Sequence, residues 1–168
     1  MVIYKQLKFT SMSVKLDSST DILRGELMMF IGELPIAFSS SAGLDVSVEE
    51  IDISNKMTGG WAGSLPGKKS YTLSCESFIT RKEGAMSFDT LLEKVKEGTP
   101  VEFVFGSALA DDQDNFGGTF KIDTTQTRYS GKVIITNLSV KSDNGQIATC
   151  SASFKGVGAL KTVNGTPG

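Results

Sequence analysis

The chain contains no histidine. That absence removes Ser-His and Cys-His nucleophile pairs, imidazole metal ligands and the one side chain that ordinarily titrates near neutrality. Cysteine is almost as scarce: Cys75 and Cys150 are the only two in 168 residues, too few for a disulfide framework. Both fall in runs that read as strands, so buried free thiols are expected, with a disulfide or a reactive thiol as alternatives. No run approaches the ~20 consecutive apolar residues of a membrane span. Polar and charged residues interrupt the short apolar runs near the amino terminus, unlike a signal peptide, so synthesis and folding in the cytoplasm are expected. Positive charge is not in excess either. With 17 basic against 19 acidic residues the formal charge is -2, and there is no basic stripe of the kind that grips nucleic acid phosphates.

The length suits one domain with a real core. Residues 1–21 are polar and irregular and read as a flexible arm, within which Met12 is an alternative start. Residues 22–160 read as the folded domain and 161–168 as a flexible tail, the chain being Gly-rich and loose from Gly156 onward. Gly25 to Ile31 is apolar on both parities, as in a strand covered on two faces. Gly32 to Pro35 is a turn, and Ile36 to Ser40 begins the next strand.

Leu44, Val46 and Val48 are apolar on even positions, whereas Ile51 and Ile53 are apolar on odd ones. A period of two cannot place both sets on one face, so a bulge is expected near Glu49 and Glu50. With the phase restored, Asp45, Ser47, Glu49, Glu50, Asp52 and Ser54 share one acidic face. Lys69 to Thr80 alternates again, and 81–87 is a polar loop. Ser87 then caps a helix whose apolar stripe is Phe88, Leu91, Leu92 and Val95, stopped by Gly98 and Pro100. Val101 to Phe105 reads as a strand and Ser107 to Gly118 as a long acidic loop. Gly131 to Phe154 reads as a hairpin around Asn144-Gly145, the dipeptide of a type I′ turn. About eight strands and one flanking helix predict a mainly β fold, a β-sandwich or partly rolled barrel.

Some constellations resemble chemistry and fail on detail. The stretch Gly63 to Ser70 has the glycines and lysine of a phosphate loop, but the first glycine position holds Ala62 and the chain runs on into a strand. Asp112 and Asp114 sit at calcium-loop spacing, yet the fifth position is Phe116 and no glutamate closes the loop. Glu49, Glu50, Asp52 and Glu76 offer carboxylate pairs, without the aromatic platforms that accompany glycoside hydrolysis. No catalytic, cofactor-binding or metal-ligating residue is assigned. Trp61, among Gly59, Gly60 and Gly63, admits three readings: a glycan platform, an anchor folded back on its own domain, or an anchor buried by a neighbouring subunit.

The span Asp45 to Glu76 nevertheless carries a signature. Ile51, Asp52, Ser54 and Lys56 lead through Gly60 and Trp61 to Leu65, Pro66, Gly67, Lys68, Lys69 and Ser70. This resembles the major tail tube proteins of long-tailed bacteriophages, particularly the lactococcal-phage-type group. There an Ile-Asp-x-Ser-x-Lys stretch runs through a Gly-Trp loop to Leu-Pro-Gly-Lys-Lys-Ser. Gly98 to Val101 and Ala148 to Gly156 extend the similarity, which covers about residues 22–160. Cys150 departs from it, standing where the family has an aromatic, and so do Ala62 and Gly63 after the tryptophan.

The resemblance implies a non-enzymatic virion tail protein that forms hexameric rings stacked into a tube. The tape measure protein and tail terminator and initiator proteins would be its partners. DNA would cross the lumen without specific binding, and no membrane, cofactor or small-molecule substrate is implied. It selects the third reading of Trp61 and marks Lys56, Gly60, Trp61, Leu65, Pro66, Gly67 and Lys68 as an inter-subunit loop. The acidic residues Asp45, Glu49, Glu50 and Asp52 become the candidate lumen wall, since an acidic or neutral lining lets a polyanion slide. A tube of a type VI secretion or phage-derived injection particle, and a carbohydrate-binding β-sandwich, are the alternatives; only the last should change its tryptophan emission on a glycan panel.

Overall fold

The computed structural model describes residues 14–23, 27–114 and 116–166. Over 14–23 there is neither helix nor strand, only a turn in which the Asp21 amide donates to the Asp17 carbonyl at 2.8 Å; the rest of the expected arm, 1–13, lies outside the described residues. The strands are β1 (Leu27–Ile31), β2 (Leu34–Pro35), β3 (Ser39–Asp52), β4 (Ser64–Phe78), β5 (Val101–Asp111), β6 (Thr119–Ile122), β7 (Arg128–Lys141) and β8 (Thr149–Val163), with helix α1 (Phe88–Glu97) between β4 and β5. They form one antiparallel sheet in the order β2-β1-β5-β7-β8-β4-β3, with β6 pairing the far end of β5. The sheet curls, because β1 and β3 pack together although far apart in that order. The mainly β architecture expected from the strand count is therefore present, in its rolled form.

Alternation sets the inside. On β4, Tyr71, Leu73, Cys75 and Ser77 are buried while Thr72, Ser74 and Glu76 are exposed, as a strand with one covered face requires. These meet Phe103 and Phe105 of β5, Val133 of β7 and Ala152 and Phe154 of β8 in one core. Leu91 of α1 is fully buried against it and the helix packs on β7. Gly98 ends the helix in the left-handed conformation at φ 69°, its amide donating back to Lys94 and Val95, the glycine role that the sequence announces.

Four local expectations are corrected. Ser87 occupies the N-cap position, but its hydroxyl makes no cap bond and accepts the Thr80 amide at 3.1 Å instead. Ser107 to Asp111 is strand, because Ala108, Leu109 and Ala110 pair with β6; the acidic loop is confined to 112–118. The β7–β8 hairpin opens beyond Lys141↔Thr149, and only Gly145 of the Asn-Gly pair has positive φ (77°). A type I′ turn needs both; the wider loop is closed by Gln146 donating to Asp143 at 3.0 Å. Finally, β8 continues through Gly156 to Val163, paired with β7 across a bulge around Gly158.

Candidate assembly surface

Beyond Tyr71 the β3–β4 hairpin leaves the core and stands free as an arm. Every residue from Asp45 to Asp52 is exposed, and so are Val46, Val48, Ile51, Ile53 and Leu65. Exposed apolar residues scattered singly are ordinary, but five of them on the two faces of one projecting hairpin mark surfaces meant to be covered.

The expected bulge is there, in the other strand. Val48 pairs with Lys69 and Glu50 with Pro66, so Gly67 and Lys68 together face Glu49 and the extra residue belongs to β4. A side chain at Gly67 would press on the Glu49 carbonyl at 3.0 Å and on Ile51 at 3.1 Å, which explains the glycine. Because β3 gains no residue at this bulge, its alternation runs unbroken from Ser41 to Asp52. Asp45, Ser47, Glu49 and Ile51 share one face; Val46, Val48, Glu50 and Asp52 share the other. The acidic set is thus divided between two faces, and the single acidic face expected from the sequence is not formed. Hydrogen bonds from the Ser54 hydroxyl and amide hold the Asp52 carboxyl below its ordinary value.

At the tip, 53–63 is stitched to itself. The Ser54 hydroxyl accepts the Gly63 amide at 2.9 Å, the Asn55 side chain accepts the Met57 amide at 2.8 Å, and the Thr58 hydroxyl donates to the Asn55 carbonyl at 2.7 Å. The turn is shaped, yet its large side chains touch little: Trp61 is 86% exposed and Met57 94%. An anchor folded back on its own domain is therefore not what Trp61 is. Lys56, Gly60, Leu65, Pro66 and Lys68 are exposed with it, and Gly67 is half-buried by its contact with Ile51.

The arm is rooted at Tyr71. Its hydroxyl donates to the Lys132 carbonyl at 2.8 Å and its ring lies 5.9 Å from that of Phe103. A Cβ at Gly156 would collide with the Tyr71 ring, and one at Gly131 would lie 2.6 Å from its hydroxyl; glycines let the phenol cross the sheet. Burial raises the Tyr71 phenol. Below it, burial pushes the Cys75 thiol up to about 12, and burial also raises the Cys150 thiol. Both cysteines are free and buried, as expected.

Two further features were missed in the sequence. The face of the β3-β4-β8-β7 sheet turned away from the core is lined by small hydroxyl side chains. Ser47 pairs with Ser70, and the rows beside it carry Thr72, Ser74, Ser151, Ser153 and Ser139, with Asp45, Glu49, Glu76, Lys132, Lys141 and Lys155 as the dispersed charges. The second feature is an apolar groove of about 1050 Å³ at the opposite end of β3 from the arm tip, lined by Leu27, Leu34, Phe38, Phe105, Phe116 and Phe120 among others. Phe38 there has φ 51°, an outlier for a bulky residue. The serine spacing of two was legible; the groove joins segments too far apart in sequence to leave a pattern.

Among the described residues no group of acidic or thiol side chains is placed to hold a metal ion, and no helix is long and apolar enough to cross a membrane. Residues 34–162 match the model of a family described as phage tail tube protein. The fold is similar to that of a chain in the virion of a native gene transfer agent particle, at TM-score 0.63 and 17% identity over 84% of this chain and 98% of that one. It is also similar to the SPP1 tail tube, at 0.59 and 12% over 88% and 81%. The sheath-tube complex of an extracellular contractile injection system gives 0.58 and 12% over 89% and 99%. No curated protein sequence matches.

Proposed function

Since the chain belongs to the phage tail tube protein family, we propose that its copies close edge to edge into six-membered rings, that the rings stack into a hollow conduit for DNA, and that the protein performs no reaction. The observation that carries this reading is the arm, a shaped hairpin whose valines, isoleucines and sole tryptophan are left exposed by the described residues. The similar tail of an empty gene transfer agent particle has C6 symmetry, which supports six copies per ring. Among the described residues nothing pairs with the outer side of the long edge strand β3. Ring closure would satisfy it, where a free edge of that length otherwise invites aggregation.

The hydroxyl-lined sheet face is our candidate for the lumen wall. It is nearly neutral, so it would wet the passing DNA without holding its phosphates. Asp45 and Glu49 lie on this face and, with Glu76, offset the charge of Lys132, Lys141 and Lys155. Glu50 and Asp52 lie on the other and serve the arm. The tape measure protein, a terminator and an initiator would be the heterologous partners, and subunits made in the host cytoplasm would end in the virion tail. The loop 53–63 carries one aromatic side chain and no second platform beside it, which disfavours sugar stacking. Negative-stain microscopy of concentrated protein tests the reading: rings or hollow tubes are expected, and a monomer at every concentration, even with tail partners added, overturns it.

A further inference from the structure

The chain holds two Asn-Gly dipeptides, Asn144-Gly145 and Asn164-Gly165, and its other asparagines precede Lys56, Phe116 and Leu138. With glycine next, the following backbone amide reaches the asparagine side chain most easily, because no Cβ stands in the way. The fold treats the two pairs in opposite ways. Beyond Lys141↔Thr149 the strands β7 and β8 have parted. Asn144 and Gly145 sit at the apex of the turn that Gln146 and Asp143 close, and both are exposed. Among the described residues neither the Gly145 amide nor the Asn144 side chain has a hydrogen-bond partner. Gly165 instead lies against the Thr125 carbonyl, where a Cβ would have no room. On its two flanks the Thr166 amide donates to the Thr124 carbonyl at 3.1 Å and Val163 pairs with Arg128.

We infer that Asn144 is a site of self-modification by deamidation, and that the fold protects Asn164 from the same reaction. The Gly145 nitrogen gives its proton to base and attacks the Asn144 side-chain carbonyl carbon. A bond forms from that nitrogen to Cγ, the bond from Cγ to the side-chain nitrogen breaks, and the departing nitrogen takes a proton to leave as ammonia. The cyclic imide then takes up a water molecule at either carbonyl, giving aspartate or isoaspartate. Nothing is oxidised or reduced. Ring closure needs the main chain between Asn144 and Gly145 to turn. That costs little in an exposed loop and much where tertiary contacts hold both flanks. Each event turns a neutral side chain into an acid, so a formal charge of -2 becomes more negative by a single unit. The new carboxylate falls beside the exposed pair of Lys141 and Asp143, 3.3 Å apart. An aged copy would therefore differ from a fresh one in charge at this loop, and its isoaspartate form would carry an extra methylene in the main chain. Paired strands on both sides of the loop leave the core unaltered.

Incubation of the folded protein at mildly alkaline pH, followed by peptide mapping with mass spectrometry, tests the site. Asn144 should gain the mass of an amide turned acid, divided between aspartate and isoaspartate, about tenfold faster than Asn164. In urea, where no contact holds Gly165, the two sites should convert at similar rates. Asn144→Gln, an exposed change, should remove the acidic species that isoelectric focusing resolves from incubated folded protein. Equal rates at the two sites in the folded protein overturn the protection of Asn164. Conversion of Asn144 in urea but not in the fold overturns the site itself. A difference between the sites that persists unchanged in urea belongs to their sequence neighbours and overturns the structural origin.

Discussion

At the scale of single residues the root of the arm is the least forgiving place. Gly156 is replaceable only by moving Tyr71, so Gly156→Ala should cost on the order of 2 kcal/mol and lower the melting temperature by about 6 °C, read by calorimetry of the monomer. Tyr71→Phe should cost about 1 kcal/mol, since it leaves the Lys132 carbonyl without its donor. The thiols set a pH dependence whose sign follows from their burial. Cys75 titrates at about 12 in the fold against an ordinary 9.0, so above pH 9 the unfolded chain releases its proton first. The stability this group contributes is whole below that pH and is lost as pH rises toward 12. Urea midpoints should therefore fall between pH 9 and 11, less steeply in Cys75→Ala, and thiol reagents at pH 8 should label neither cysteine until the protein unfolds.

At the scale of elements the arm behaves as a unit apart from the core. Gly67→Val sets a branched side chain against the Glu49 carbonyl and Ile51. It should leave the melting of the body within about 0.5 kcal/mol while making residues 49–68 faster to cut in limited proteolysis. How much of this was legible depended on the range of the signal. The buried rows of β4, the α1 stripe and the Gly98 stop follow from period and capping, and all three were readable. A bulge near Glu49 was readable from the phase change of the apolar residues, but which strand takes the extra residue is decided by the partner, and Gly67 with Lys68 decided for β4. That choice split the four carboxylates between two faces. The Asn144-Gly145 turn misled because the strands part at Lys141 and Thr149, before a tight turn can form. Signature residues 51–70 disclosed the loop, whereas the groove from Leu34 to Phe120 depends on long-range folding and left no mark.

At the scale of the whole molecule, an apolar arm and an open strand edge are liabilities alone and assets in a polymer. Trp61→Ala should not change monomer stability by more than about 0.5 kcal/mol, since the ring touches little of its own chain, yet tube yield and length in electron micrographs should fall several-fold. Unchanged yield would separate the tryptophan from assembly. On the tube reading, β3 would also act as a gauge. A stiff hairpin spanning from one layer to the next would set how far apart the layers sit, and trimming two residues from each of its strands would shorten its reach by about 7 Å. Periodicity of the finished particle would then be written in the residue count of one arm, and a virus with a differently pitched tail need only have lengthened or shortened that finger.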